Sequence, residues 1–243
     1  MANPSINAYL QNIKKLKLTK STFGLSAYLE KLFKGIGLKE KTVLDIGAGA
    51  GIYSCYMAIN GAEEVISLEP QIEGSKNSYI SNFEELKGNL NLSNVFLKPV
   101  AFQSFESDGE NFDVILLHYS INHLDENACM NLKKTSEAQK TYEEIFSKLY
   151  SISKVDADLI MADCSNKNFF NSLGIKNPFV PAIEWNKHQS PEEWIKILKR
   201  VGFKNFKIRW VIPWQFGGVA DFFLGNKVCS FFIHSHFIIY AKK

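Results

Sequence analysis

Cysteine is scarce and scattered in this chain. Cys55, Cys129, Cys164 and Cys229 form no C-x-x-C pair, which excludes a zinc knuckle or a disulfide framework as the organising device. Isolated cysteines in such a chain are small buried apolar residues of a reducing compartment. The N-terminus lacks the apolar core of a signal peptide. The most apolar late stretch, 228–241, carries His234 and His236 and is too short to cross a bilayer. The expectation is a cytoplasmic protein with no membrane span. The net charge of +3 is too small to argue for nucleic acid. Internal repeats and low-complexity tracts are also missing.

What is present is a 46% apolar composition, ample for the core of one large domain or of one domain with a cap. Residues 1–243 are therefore expected to form a single domain. A helical segment covers 1–40, where Leu25, Tyr28, Leu29, Leu32 and Phe33 recur at helical spacing. Lys14, Lys15, Lys17 and Lys20 read either as a solvated helix face or as a basic rim.

The most informative stretch is Val43-Leu44-Asp45-Ile46-Gly47-Ala48-Gly49-Ala50-Gly51. It reads as a buried strand that ends in a glycine turn and enters a helix. Alternate glycines let the backbone approach a ligand closely, and the helix start points N–H groups the same way. Glu69 closes a second apolar strand, Val65-Ile66-Ser67-Leu68, where a carboxylate suits a ribose diol. The dinucleotide fingerprint G-x-G-x-x-G fails here, because its third glycine would fall on Ile52 and comes early, at Gly51. Asp45, two residues before Gly47, would repel a pyrophosphate and welcome an ammonium group. A ligand with an adenosine ribose, no phosphate and a cationic amino-acid tail is S-adenosylmethionine.

These residues resemble motif I and the ribose-binding acid of the class I S-adenosylmethionine-dependent methyltransferases. The likeness continues through Phe112-Asp113-Val114-Ile115-Leu116-Leu117, similar to the family's fourth strand, and through the loop His118-Tyr119-Ser120-Ile121-Asn122-His123-Leu124. It is best over 40–165. Alternating strands and helices and this resemblance imply an α/β fold: a Rossmann-like, doubly wound sheet of about seven strands, mostly parallel with an antiparallel last strand, helices on both faces.

Further elements follow from the pattern. A polar helix is expected over 73–86, short strands over 95–97 and 113–117, and one long helix over 131–153. A fifth strand is expected over 159–162. Ser190-Pro191-Glu192-Glu193 reads as a capped helix start, with Gly202 as its stop. Strands over 206–211 and 231–240 form a closing hairpin, with His234 and His236 on one face of the second. Two aromatic-rich, cap-like insertions, 164–189 and 213–227, fall outside the bare scaffold.

The resemblance implies a cofactor set of Asp45, Gly47, Ala48, Gly49 and Gly51 around the amino-acid end and Glu69 with Pro70 at the ribose. Ala101, Phe102 and Gln103 fall near the adenine, with His118 and Tyr119 as wall residues. Methyl transfer to a hydroxyl needs a proton acceptor. His123 is the first candidate, because histidine titrates near neutrality; His118 is the second. Asn122, Trp185, His188 and Trp214 are candidate acceptor contacts. No metal is expected. The expected partner is a small-molecule acceptor, a natural product or a sugar, methylated at oxygen. Alternatives are a small amine, or a non-catalytic S-adenosylmethionine-binding protein. The Asp/Asn-Pro-Pro-aromatic signature of nucleic-acid amino-methylating relatives is replaced by His118-Tyr119-Ser120-Ile121, and Glu126 alone does not supply the glutamate pair of arginine-methylating relatives.

Overall fold

The computed structural model describes residues 4–70, 78–212 and 225–243. Seven strands form a sheet in the order β3-β2-β1-β4-β5-β7-β6. The chain divides into two compact units, Met1–Leu116 and Leu117–Lys243.

The first unit opens with helices α1 (Ile6–Lys15) and α2 (Thr22–Leu32). Each starts at a serine whose hydroxyl accepts a helix N–H: Ser5 from Ala8 at 3.2 Å and Ser21 from Gly24 at 3.0 Å, which satisfies an otherwise orphaned donor. Strands β1 (Thr42–Ile46), β2 (Glu64–Leu68) and β3 (Val95–Lys98) pair in parallel. Helices α3 (Ile52–Ile59) and α4 (Ser78–Asn89) connect them. Helix α4 runs three residues beyond the expected end at 86, and the expected stretch 73–77 lies outside the described residues. Tyr9, fully buried, donates its hydroxyl to the carbonyl of Ile52 at 2.9 Å, tying α1 to the start of α3. Strand β4 (Phe112–His118) belongs to this unit up to Leu116. Its Asp113 accepts from the Thr42 N–H at 3.0 Å, the Thr42 hydroxyl at 2.9 Å and the Lys41 ammonium at 3.2 Å. That carboxylate fastens β4 to the entrance of β1.

In the second unit the long helix expected over 131–153 is one helix with a later start, at Ser136, and two short helices precede it. Helix α5 (Ile121–Leu124) leads to α6 (Glu126–Asn131) and then to α7 (Ser136–Ser151). Asp125 caps α6 by accepting from Ala128 at 2.8 Å, and Thr135 caps α7 by accepting from Ala138 at 3.1 Å. The cap at Thr135 fixes the start of α7, which an apolar periodicity overlooks. Strand β5 (Ser153–Cys164) is longer than expected, and helix α8 (Phe169–Ser172) follows it. Helix α9 (Pro191–Val201) has Ser190 at its cap position, but that hydroxyl takes no helix N–H. It ends at Gly202, whose φ of 122° suits glycine. Trp194 of α9 is fully buried between Tyr142 and Phe146, with ring centroids 4.8 and 6.0 Å apart.

The strand expected over 231–240 is corrected. Asn226 accepts from the N–H groups of Val228 and Cys229 at 3.0 and 3.1 Å. This cap starts helix α10 (Lys227–Phe232), so Phe231 and Phe232 are helical. Strand β7 (His236–Lys242) begins only after Ser235, at φ 53°. It runs antiparallel to both β5 and β6 (Lys204–Trp210) and lies between them. His234 therefore precedes the strand, and β7 is no edge.

Candidate functional site

In the first unit the glycine turn has the backbone its residue types require. Gly47, Gly49 and Gly51 sit at φ of 77°, 54° and 77°, a left-handed region that costs other residues about 1–2 kcal/mol. The N–H groups of Gly47 and Ala48 both reach the carbonyl of Leu68, at 2.8 and 2.9 Å. The two later glycines differ in what surrounds them. A Cβ at Gly51 would lie 2.6 Å from the Phe83 ring, whereas one at Gly49 meets nothing within 4 Å. Gly51 is demanded by packing; Gly49 faces open space. Glu69 accepts from the Gly49 N–H at 2.8 Å, so the expected ribose acid also holds the turn.

Asp45 is buried at the next-to-last position of β1. Its Oδ2 accepts from the Ser54 hydroxyl at 2.6 Å, while Oδ1 has no hydrogen-bond partner among the described residues. Burial, opposed by the Ser54 hydrogen bond and reinforced by the charge of Glu69, raises its carboxyl to about 7. Ala101, Phe102 and Gln103 lie where β3 leads into a 3₁₀ turn; Phe102 is buried and Gln103 exposed. Pro70 is half-buried.

In the second unit, histidines gather around the carboxyl end of β5. Asp163, at the next-to-last position of that strand, has a side chain with no exposed surface and lies 3.0 Å from His188 Nδ1. A carboxylate only accepts, so Nδ1 carries the proton and Nε2 is left as an acceptor. Asp163 Oδ2 has no hydrogen-bond partner among the described residues. The backbone around His188 is pinned on both sides: Cys129 Sγ donates to the Lys187 carbonyl at 3.2 Å, and Gln189 Nε2 donates to the Cys129 carbonyl at 2.7 Å.

Tyr119 follows β4 at a φ of 53°, strained for a bulky residue. Its hydroxyl lies 3.0 Å from His236 Nδ1, and His236 stacks on His234 with centroids 4.0 Å apart. Burial lowers His118 to about 3 and His234 to about 4. Burial and the neighbouring His234, His118 and His188 hold His236 well below its ordinary value. These three are neutral, and poor proton acceptors, at pH 7.

The remaining expected residues are His123, Asn122, Trp185 and Trp214. His123 lies on the surface with 59% of its side chain exposed, and its Nδ1 is 2.8 Å from Glu126. Asn122 is buried, and its Oδ1 finds no partner among the described residues. Trp185 is half-buried in a 3₁₀ turn. Trp214 and most of the second insertion lie outside the described residues. Among the described residues no three His, Cys, Asp or Glu side chains converge as metal ligands.

A family model described as a methyltransferase domain matches residues 24–208. The chain belongs to this methyltransferase family. The methyltransferase superposes on a solved S-adenosylmethionine-dependent methyltransferase from Aquifex aeolicus with a TM-score of 0.60 at 20% identity, over 94% of this chain and 97% of that one. It also superposes on the plantazolicin methyltransferase BpumL in complex with SAH, with a TM-score of 0.53 at 16% identity, over 97% and 85%. At these identities the likeness is one of fold. A curated relative, the ribosomal protein L11 methyltransferase of Prochlorococcus marinus, is 38% identical over 88 residues, or 36% of this chain. The chain spans only 28% of that relative's length.

The cofactor that the sequence resemblance implies is S-adenosylmethionine, and the first unit's residues fit it. Asp45 Oδ1 is a buried carboxylate oxygen short of a donor, as a site for an ammonium group requires. Two partners were not foreseen. Ser54 comes nine residues after Asp45, and no spacing rule announces that a helix brings its hydroxyl back to the strand. The Asp163–His188 pair spans 25 residues across an insertion. His188 was expected only as an acceptor contact.

Proposed function

We propose that this S-adenosylmethionine-dependent methyltransferase methylates a hydroxyl group of a small molecule. Asp45 and the turn Gly47, Ala48, Gly49 and Gly51 hold the amino-acid end of the cofactor, Glu69 and Pro70 the ribose, and Ala101, Phe102 and Gln103 the adenine. When bound, the cofactor supplies a methyl group already activated by a positive sulfur. The protein's part is to orient the acceptor oxygen and to remove its proton.

The observation that carries the oxygen reading is the Asp163–His188 pair. A buried carboxylate fixes the imidazole tautomer and would stabilise the cation formed when Nε2 takes a proton. In the transfer, the acceptor oxygen would take the methyl group that the cofactor supplies, and His188 Nε2 would take the hydroxyl proton. His123 is the second candidate for that proton. Its exposure and its contact with Glu126 favour His188, because a pair open to water is screened and loosely held.

Calorimetry with S-adenosylmethionine and S-adenosylhomocysteine tests the first half: binding of neither would end the reading. Two variants test the second. His188→Ala is expected to lower kcat roughly 10²–10⁴-fold with cofactor affinity retained, and His123→Ala to leave it nearly unchanged. The reverse pattern would give the role to His123, and loss in neither would remove the base.

A further inference from the structure

The second unit contains a cavity of about 640 Å³, well within the range of small-molecule sites. It lies beyond the end of β5, beside α8, α10 and the end of β6. Its walls are Trp210, Val228, Phe231 and Phe232. Three charged residues line it. Glu192 receives Lys227 at 2.5 Å and Lys167 at 3.4 Å, so two ammonium groups share one carboxylate and leave one positive charge over. Lys227 and Lys167 are each more than half exposed, so this surplus charge is open to an incoming group. Asn166 also lines the cavity, and its Oδ1 has no hydrogen-bond partner among the described residues. A buried carbonyl oxygen of this kind calls for a donor.

Walls of rings and methyl groups, one surplus positive charge and one acceptor lacking a donor define a complementary ligand. We propose that this cavity is a binding site for a hydroxylated aromatic monocarboxylate. The ring packs against Trp210, Phe231 and Phe232. The carboxylate sits at Lys167 and Lys227, and an O–H donates to Asn166 Oδ1. The cavity's preference for an anion does not rest on the hydroxyl-methylating reading above. Because both lysines are partly solvated, the charge contributes selectivity more than affinity.

The test uses 4-hydroxycinnamate, its neutral methyl ester and the amine tyramine as probes, titrated calorimetrically into the full chain without cofactor. The acid is expected to bind more tightly than the ester by about threefold, and the amine to bind most weakly. Glu192→Gln frees both lysines and should tighten the acid by a similar factor while leaving the ester unchanged, which also shows that the variant is folded. Lys227→Met should weaken the acid alone, and Phe232→Ala both acid and ester. Equal binding of acid and ester, tightest binding of the amine, or weaker acid binding by Glu192→Gln would overturn the proposal, as would no acid binding at all. Cofactor binding is measured separately. Its loss would overturn the methyl-transfer reading and leave the cavity's specificity standing.

Discussion

Two aspartates occupy the same place in two different strands. Asp45 is the next-to-last residue of β1 in the first unit, and Asp163 the next-to-last of β5 in the second. Both are buried, and each leaves one carboxylate oxygen without a partner among the described residues. What differs is the partner of the other oxygen. Asp45 accepts from a serine hydroxyl, which neutralises nothing, and its carboxyl is raised to about 7. Asp163 accepts from an imidazole, which can itself become a cation. In the proposed function the first meets a positive ligand and the second holds a base in one tautomer. Position on the strand is therefore no guide to role: the side chain opposite decides it.

The sharpest break of that comparison is Asp163→Asn. An amide no longer favours the Nδ1–H tautomer or the imidazolium, so turnover should fall roughly 10²–10⁴-fold with cofactor affinity unchanged. A parallel fall in cofactor affinity would show that the two aspartates are not separate in function. Asp45→Asn should do the opposite, weakening S-adenosylmethionine roughly 10–100-fold. In the wild type, the cofactor's ammonium group lowers the Asp45 carboxyl, so binding should release a proton near pH 6. Calorimetry in buffers of different ionisation enthalpy reads that proton, and Asp45→Asn should remove it.

The two units should also pull stability in opposite directions with pH. Asp45 is raised from 3.8 to about 7 on folding, so the folded state binds its proton more tightly. Its contribution is greatest at acid pH and is lost as pH rises from about 4 to about 7, a difference of about 4 kcal/mol. His234 is lowered from 6.5 to about 4, so its contribution is complete above pH 6.5 and is lost as pH falls toward 4. Urea midpoints from pH 4 to 8 should show Asp45→Asn removing the decline on the alkaline side and His234→Asn easing that on the acid side.

The smallest effects separate the two glycines. Gly51→Ala drives a Cβ into Phe83 and should cost about 2–4 kcal/mol of stability. Gly49→Ala meets only backbone strain, about 1–2 kcal/mol, read by the same denaturation midpoints. Gly49→Val should abolish cofactor binding while the circular dichroism stays folded.

Much of the first unit was legible because its signals are local. The strand, the glycine turn and the returning acid are contiguous or one crossover apart, and Asp45, Gly49 and Glu69 keep together through backbone geometry. The strand order follows from short parallel crossovers. The second unit was less legible. Asn226 and Thr135 redirect the chain by capping, a single-residue effect that overrides an apolar pattern many residues long. Phe231 and Phe232 read as strand for this reason.

The sequence by itself determined the alternation of strands and helices and the glycine turn that leads from β1 into α3. Those properties live in residue type and short spacing, where steric and electrostatic rules act directly. Only the tertiary structure decided that the Ser54 hydroxyl donates to Asp45, that His188 rather than His123 meets a buried carboxylate, and that Lys167, Lys227 and Glu192 rim one cavity. Each joins residues distant along the chain, and what a side chain can do there depends on burial and on the one neighbour that folding places within 3 or 4 Å.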